Sequence, residues 1–152
     1  MLTRLEGKVL DKDLSILRRP SAGFINYEAP VRAPFKELNQ LIKALTKLNR
    51  RKDLVQTSIA GRVGVCEAVR TMMVKVLKVE PTRPKRGLRV SLLVIVKYRG
   101  VKPKARLKAD RYLVNLTLDQ GGLRLSIGLV KGLMRTDPDE LAHMIVGSIT
   151  SS

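Results

Sequence analysis

Residues 61–80 read GRVGVCEAVRTMMVKVLKVE, and the period assigned to them decides the fold. Gly61-Arg62-Val63-Gly64 is a turn, because two glycines in four residues open backbone conformations that other side chains close. Val65, Val69, Met72, Met73, Val76 and Val79 then recur largely at three- and four-residue intervals, the spacing of one apolar helix face. That spacing predicts a helix over 65–79, with Arg70, Lys75 and Lys78 at wet positions and Met72-Met73 in the core. Pro81 and Pro84 end it, since proline lacks the amide that a helix interior needs.

Upstream, Leu38, Leu41, Ile42, Leu45 and Leu48 keep helical spacing behind Pro34, which suits a first helical turn. Residues 54–60 are rich in β-branched side chains and predict a short strand, as does 23–27. Downstream, 88–98 is the strongest strand. Val90, Leu92, Val94 and Val96 fall on one face and Leu93 and Ile95 on the other, so it is covered on both sides, by helices or by a partner subunit. A basic connector, a returning strand at 112–118, a turn at 119–122 and a further strand at 123–130 follow. Asp137, Pro138 and Glu140 supply an N-cap, a first-turn proline and an N3 acid for a last helix that packs Leu141, Met144 and Ile145. The order is βαβα and then two or three antiparallel strands. It predicts an α/β (α+β) two-layer sandwich, with helices on a sheet. Residues 1–22 read as an N-terminal extension, 23–118 as the main body, and 119–152 as a strand and helix extension packed on the same domain.

A chain of 152 residues suits one domain. Thirty Lys and Arg against thirteen Asp and Glu give a net charge of +17. The excess is concentrated: residues 83–111 hold eleven cations and one acid, Asp110. A field of this kind draws polyanions from beyond a Debye length of about 8 Å. One cysteine and one histidine exclude an internal disulfide framework and a Cys/His zinc cage, and no cofactor fingerprint is present. The longest apolar run, 92–96, is far short of the roughly 20 residues of a membrane span. The N-terminal stretch lacks the apolar core of a signal peptide. These features predict a cytoplasmic protein with no membrane partner.

Lys97, Arg99, Lys102, Lys104, Arg106, Lys108 and Arg111 place seven cations in fifteen residues. Gly100 and Pro103 keep the tip extended, so the side chains can follow a phosphate backbone. Neutralising about six phosphates gives a log–log salt slope near −5. The plainer alternative is a solvated loop that aids solubility. Arg83, Lys85 and Arg86 extend the same charged face or form a linker. Tyr98 and Tyr112 flank the connector; a cross-strand pair outweighs stacking on unpaired bases. Arg62 opens the helix of the 61–64 turn, where free amides can hold a phosphate, although taken alone the motif is better explained as a plain strand–helix turn. Cys66 has no paired base and reads as packing, and His143 reads as structural. No recognition helix carries base-reading side chains, so specificity is low or shape-based.

Two further stretches resemble the Alba family of archaeal nucleic-acid-binding proteins. Ala44-Leu45-Thr46-Lys47-Leu48-Asn49 is similar to the end of the first Alba helix. Ile59-Ala60-Gly61-Arg62, followed by Gly64-Val65-Cys66-Glu67-Ala68-Val69, is similar to the family's strand–turn–helix, with Gly61-Arg62 about one residue farther from Ala68-Val69. The strand, basic hairpin and returning strand at 88–118 match the family's arm in position. Arg32, with Lys36 beyond it, is the nearest substitute for the lysine pair that starts the first Alba helix. The resemblance implies a β-α-β-α-β-β core and a homodimer or Alba-like heterodimer. It also implies Arg62, Arg32 and Lys36 as body contacts between two arms. The expectation is a non-catalytic, largely sequence-independent binder of RNA or DNA, archaeal and nucleoid- or ribonucleoprotein-associated. The alternative is a structural subunit of a ribosome- or ribonuclease P-type particle. A nucleic-acid-processing enzyme ranks last, because one His, one unsupported Cys and no spaced acid pair offer little chemistry.

Overall fold

The computed structural model describes residues 3–5, 24–29, 38–58, 65–81, 87–102, 109–119 and 122–150. In chain order these form β1 (Thr3–Leu5), β2 (Phe24–Ala29), α1 (Leu38–Thr46) and a 3-10 turn (Lys47–Arg50). Next come β3 (Lys52–Ser58), β4 (Val65–Pro81), β5 (Leu88–Lys102), β6 (Asp110–Asp119), β7 (Gly122–Lys131) and α2 (Pro138–Thr150). The strands make one sheet in the order β1-β2-β7-β6-β5-β4-β3, and every neighbouring pair is antiparallel. The two helices and the 3-10 turn pack together, and α2 also meets β2 and β7.

The α/β two-layer sandwich with a β-α-β-α-β-β core is therefore not the fold. The second helix is absent: residues 65–79 lie inside β4, a strand of 17 residues. Six of those fifteen side chains are Val or Thr, which fit a pleated surface better than a helix. β4 also pairs along nearly its whole length with β5, from Glu67 opposite Lys102 to Pro81 opposite Leu88. Withdrawing β4 into a helix would leave that side of β5 without its hydrogen bonds. The helix-like spacing has a local cause. The register shifts between Val76 and Lys78, leaving Leu77 as an extra, exposed residue. Before the shift Ala68, Arg70 and Met72 face inward; after it Val79 does. A bulge that swaps the inward parity turns a period of two into the intervals between residues 72, 76 and 79.

The other expected elements lie close to observed ones. β7 sits between β2 and β6, so residues 119–152 supply an interior strand of the sheet as well as α2. Val90, Leu92, Val94 and Val96 on β5 bury against Val114, Leu116, Leu123, Leu125 and Ile127 of β6 and β7. Leu41, Leu45 and Leu48 from the first helical segment and Leu141, Ile145 and Ile149 from α2 complete this core. Truncating one of these leucines to alanine costs about 2–5 kcal/mol. Most buried strand positions of the core alternate along their strands, Ile95 and the β4 bulge apart, which leaves the opposite, outer face to carry most of the charged strand side chains.

Candidate nucleic-acid interface

Alternation from the buried Val96 and Tyr98 directs Lys97 and Arg99 to the outer face, where both are exposed. Arg111 follows the buried Asp110 and is likewise exposed outward. The register assembles further cations around them. Lys52 on β3 pairs with Thr71 on β4, which pairs with Lys97 on β5. Met73 pairs with Ile95, Ile95 with Arg111, and Arg111 with Lys131 on β7. Lys75 stands two residues from Met73 on the same outward parity. Lys52, Lys75, Lys97, Arg99, Arg111 and Lys131 are all exposed, and none has an ion-pair partner among the described residues. Farther along the face the signs balance: Arg124 pairs with Asp119 and stands opposite Glu28. The unneutralised charge therefore gathers at the end of the sheet where β5 finishes and β6 begins.

Three of the cations expected from sequence, Lys97, Arg99 and Arg111, meet on this face. Lys102 ends β5 opposite Glu67. Lys104, Arg106 and Lys108 belong to the segment joining β5 to β6 and lie outside the described residues, as do Arg62, Arg32, Lys36, Arg83, Lys85 and Arg86. Lys52, Lys75 and Lys131 were missed, Lys75 because a helix put it on the wet side. Only a strand-like period through 65–75 would have placed Lys75 beside Lys97.

The acid within the basic stretch is withdrawn from the face. Asp110 is fully buried on the helix side, where its carboxylate accepts from the Leu133 amide (2.9 Å), the Arg135 amide (2.8 Å) and Arg135 Nη1 (2.8 Å). The Arg135 guanidinium also lies over the Tyr98 ring, 5.6 Å from its centroid. Charge on the outer face is thus not offset by Asp110. Tyr98 and Tyr112 are buried on this same inner side, which removes their rings from any base. They are not a cross-strand pair, because β5–β6 pairing stops at Val96 opposite Asp110. Both instead converge on Thr136: Tyr98 shares a hydrogen bond with its hydroxyl, and the Tyr112 hydroxyl donates to its carbonyl (2.6 Å). Burial pushes the Tyr98 phenol up to about 12 despite the Thr136 hydrogen bond, and burial, with the neighbouring Tyr98 and Asp110, raises Tyr112 further.

Arg70, expected at a wet helix position, is only 4% exposed. Its Nη1 donates to Glu140 Oε1 (2.9 Å) and to Thr136 Oγ1 (3.2 Å), and its Nη2 donates to Asp53 Oδ2 (3.1 Å). Burial works against this charge, but the hydrogen bonds and attraction from Glu140 and Asp53 outweigh it and hold the guanidinium above its ordinary value. Asp137 caps α2 by accepting from the Asp139 amide (2.8 Å), and Tyr27 donates to Asp139 (2.6 Å). Glu140, at N3, turns to Arg70 rather than back to the cap. This network fastens α2 and its preceding loop to the inner side of β3–β6, behind the cationic face.

No protein-family model, curated protein or solved structure matches the chain. Among the described residues, no helix is long and apolar enough to cross a membrane. Among the described residues, no group of three or more His, Cys, Asp or Glu side chains is placed to hold a metal ion. Chemically, the six outer cations offer four point charges and two forked donors on a strand lattice, an arrangement suited to anionic oxygens.

Proposed function

We propose that this protein binds nucleic acid without catalysis, through the phosphates, using the outer cations of β3–β7. The observation that carries it is the set of six exposed cations without ion-pair partners among the described residues, gathered while Asp110 is buried behind them. Five adjacent strands at their usual spacing make a face about 19 Å across. Side chains from different strands can then meet successive phosphates of one polymer. Among the described residues, nothing on this face resembles an element shaped to enter a groove, so these contacts position the polymer rather than read its sequence. The resemblance to Alba proteins lends no support, because the architecture it implied is not the one observed.

Six phosphate contacts correspond to a log–log salt slope of about −4 on a single strand and about −5 on a duplex. The test is salt-dependent titration of the full chain and of the Lys97→Ala/Arg99→Ala/Arg111→Ala variant with fluorescent nucleic acid. All three side chains are exposed, so the fold is expected to survive. The slope should flatten by about two to three, and affinity should fall across unrelated sequences. Lys43→Ala/Arg50→Ala, on the helix side, should leave the slope unchanged. An unaltered slope in the triple variant would refute the assignment.

A further inference from the structure

Three exposed aliphatic side chains sit beside the cationic end of the sheet and take no part in the contacts above. Tyr112 pairs with Leu129 and Arg111 with Lys131, so Val130 is an extra residue in a bulge and stands beside Lys131 against Arg111. Val130 is 59% exposed, Leu133 56% and Met134 38%. The turn that carries Leu133 and Met134 is held firmly. The Asp110 carboxylate binds the amides of both Leu133 and Arg135. Gly132 has φ +116°, and a Cβ there would fall 2.8 Å from the Asp110 Cα. Met134 adopts φ 54°, a left-handed conformation that crowds any side chain and is kept only where its surroundings impose it. A solvent-exposed turn has no need of such restraint, nor of Leu and Met at its tip.

We propose that Val130, Leu133 and Met134 form an aliphatic ledge against which the bases of an unpaired polynucleotide pack while its phosphates lie on Arg111, Lys131 and the neighbouring outer cations. This rests on the nucleic-acid reading and specifies its ligand as single-stranded. The geometry chooses among polyanions that carry apolar groups. The cations occupy the outer face. The turn leaves that face at the Val130 bulge and crosses the end of the sheet to the inner side, where Thr136 meets Tyr98 and Tyr112. One ligand must therefore bend around an edge. A bilayer presents one plane and would engage either surface but not both. A duplex is stiff over about 50 nm and hides its bases in the stack. An unpaired strand bends within a few nucleotides and exposes the faces of its bases.

The test compares the full chain with the Leu133→Ser/Met134→Ser variant. Each is titrated with a mixed-sequence RNA of about 20 nucleotides and with the same RNA annealed to its complement. The wild type should prefer the single strand. The variant should lose about fivefold on it, equivalent to ~1 kcal/mol, with little change on the duplex and an unchanged salt slope. Val130→Ser, which lies outside the turn, should show a smaller loss in the same direction. Equal losses on both ligands, or none, would overturn the ledge. So would unaffected RNA binding combined with ledge-dependent binding to phosphatidylserine-containing vesicles, which would assign the three side chains to a lipid surface. Salt-dependent binding that ignores the ledge refutes this inference alone; a wild-type chain that binds neither RNA form refutes the nucleic-acid reading itself.

Discussion

Asp110→Asn keeps the size of a fully buried side chain and removes its charge. In the native protein the carboxylate accepts three hydrogen bonds, from the amides of Leu133 and Arg135 and from Arg135 Nη1. The Arg135 side chain is itself only 3% exposed. An asparagine offers one acceptor oxygen and turns an NH2 group toward these donors. The buried guanidinium keeps its charge and loses the Asp110 carboxylate. Removing one partner of a buried ion pair costs about 3–5 kcal/mol. At about 2–4 °C per kcal/mol for a chain of this length, the melting temperature should fall by about 6–20 °C. Thermal and urea unfolding followed by circular dichroism read the loss directly. Adding Arg135→Met removes the stranded charge and should recover much of it, since replacing both partners of such a pair is far milder than breaking it. A loss below ~1 kcal/mol in the single variant, or no recovery in the double variant, would show that Asp110 does not anchor the 132–136 turn.

Two glycines should respond in opposite directions to the same change. Gly132→Ala meets both a left-handed φ and the Asp110 side chain, 2.2 Å from the new Cβ, and should cost ~2 kcal/mol or more in urea denaturation. Gly147, within α2, has nothing within 4 Å of a new Cβ, so Gly147→Ala should stabilise by about 0.5–1 kcal/mol. Alkaline titration followed by ultraviolet absorbance should find the Tyr98 phenol ionising near pH 12 and Tyr112 above it, against 10.0 for an ordinary tyrosine. The folded values are raised, so the unfolded chain loses these protons first. The corresponding stability is complete below about pH 10 and is lost as pH rises through about 12; ionisation of both phenols near 10 without unfolding would contradict their burial.

Strands β5, β6 and β7 and the helix at 38–46 were legible because their apolar side chains keep a single period throughout. Strand β4 was not, because the bulge at Leu77, toward its end, changes which parity faces the core. The difference reaches the site as well as the fold. With 65–79 as a helix, Lys75 belongs to a solvated ridge; with it as a strand, Lys75 shares a face with Lys97 and Arg111. Charge density singled out residues 83–111, eleven cations in 29 residues, and three of them, Lys97, Arg99 and Arg111, share the outer face. It could not separate Arg70 and Asp110 from their neighbours. A buried arginine or aspartate has the same letter as a wet one, and only the partners brought to it by distant segments, Glu140 and Arg135 among them, make burial tolerable. Asp110 nonetheless carried a hint, as the lone acid in a run where an exposed carboxylate would oppose the rest.

The most direct test of the central claim is ultraviolet crosslinking of the full chain to single-stranded RNA, with crosslinked peptides mapped by mass spectrometry. Crosslinks are expected on the peptides spanning 97–111 and 130–134, with the exposed side of the two helices free of them. Crosslinks concentrated on 38–50 and 138–150, with none at the outer cations, would contradict it.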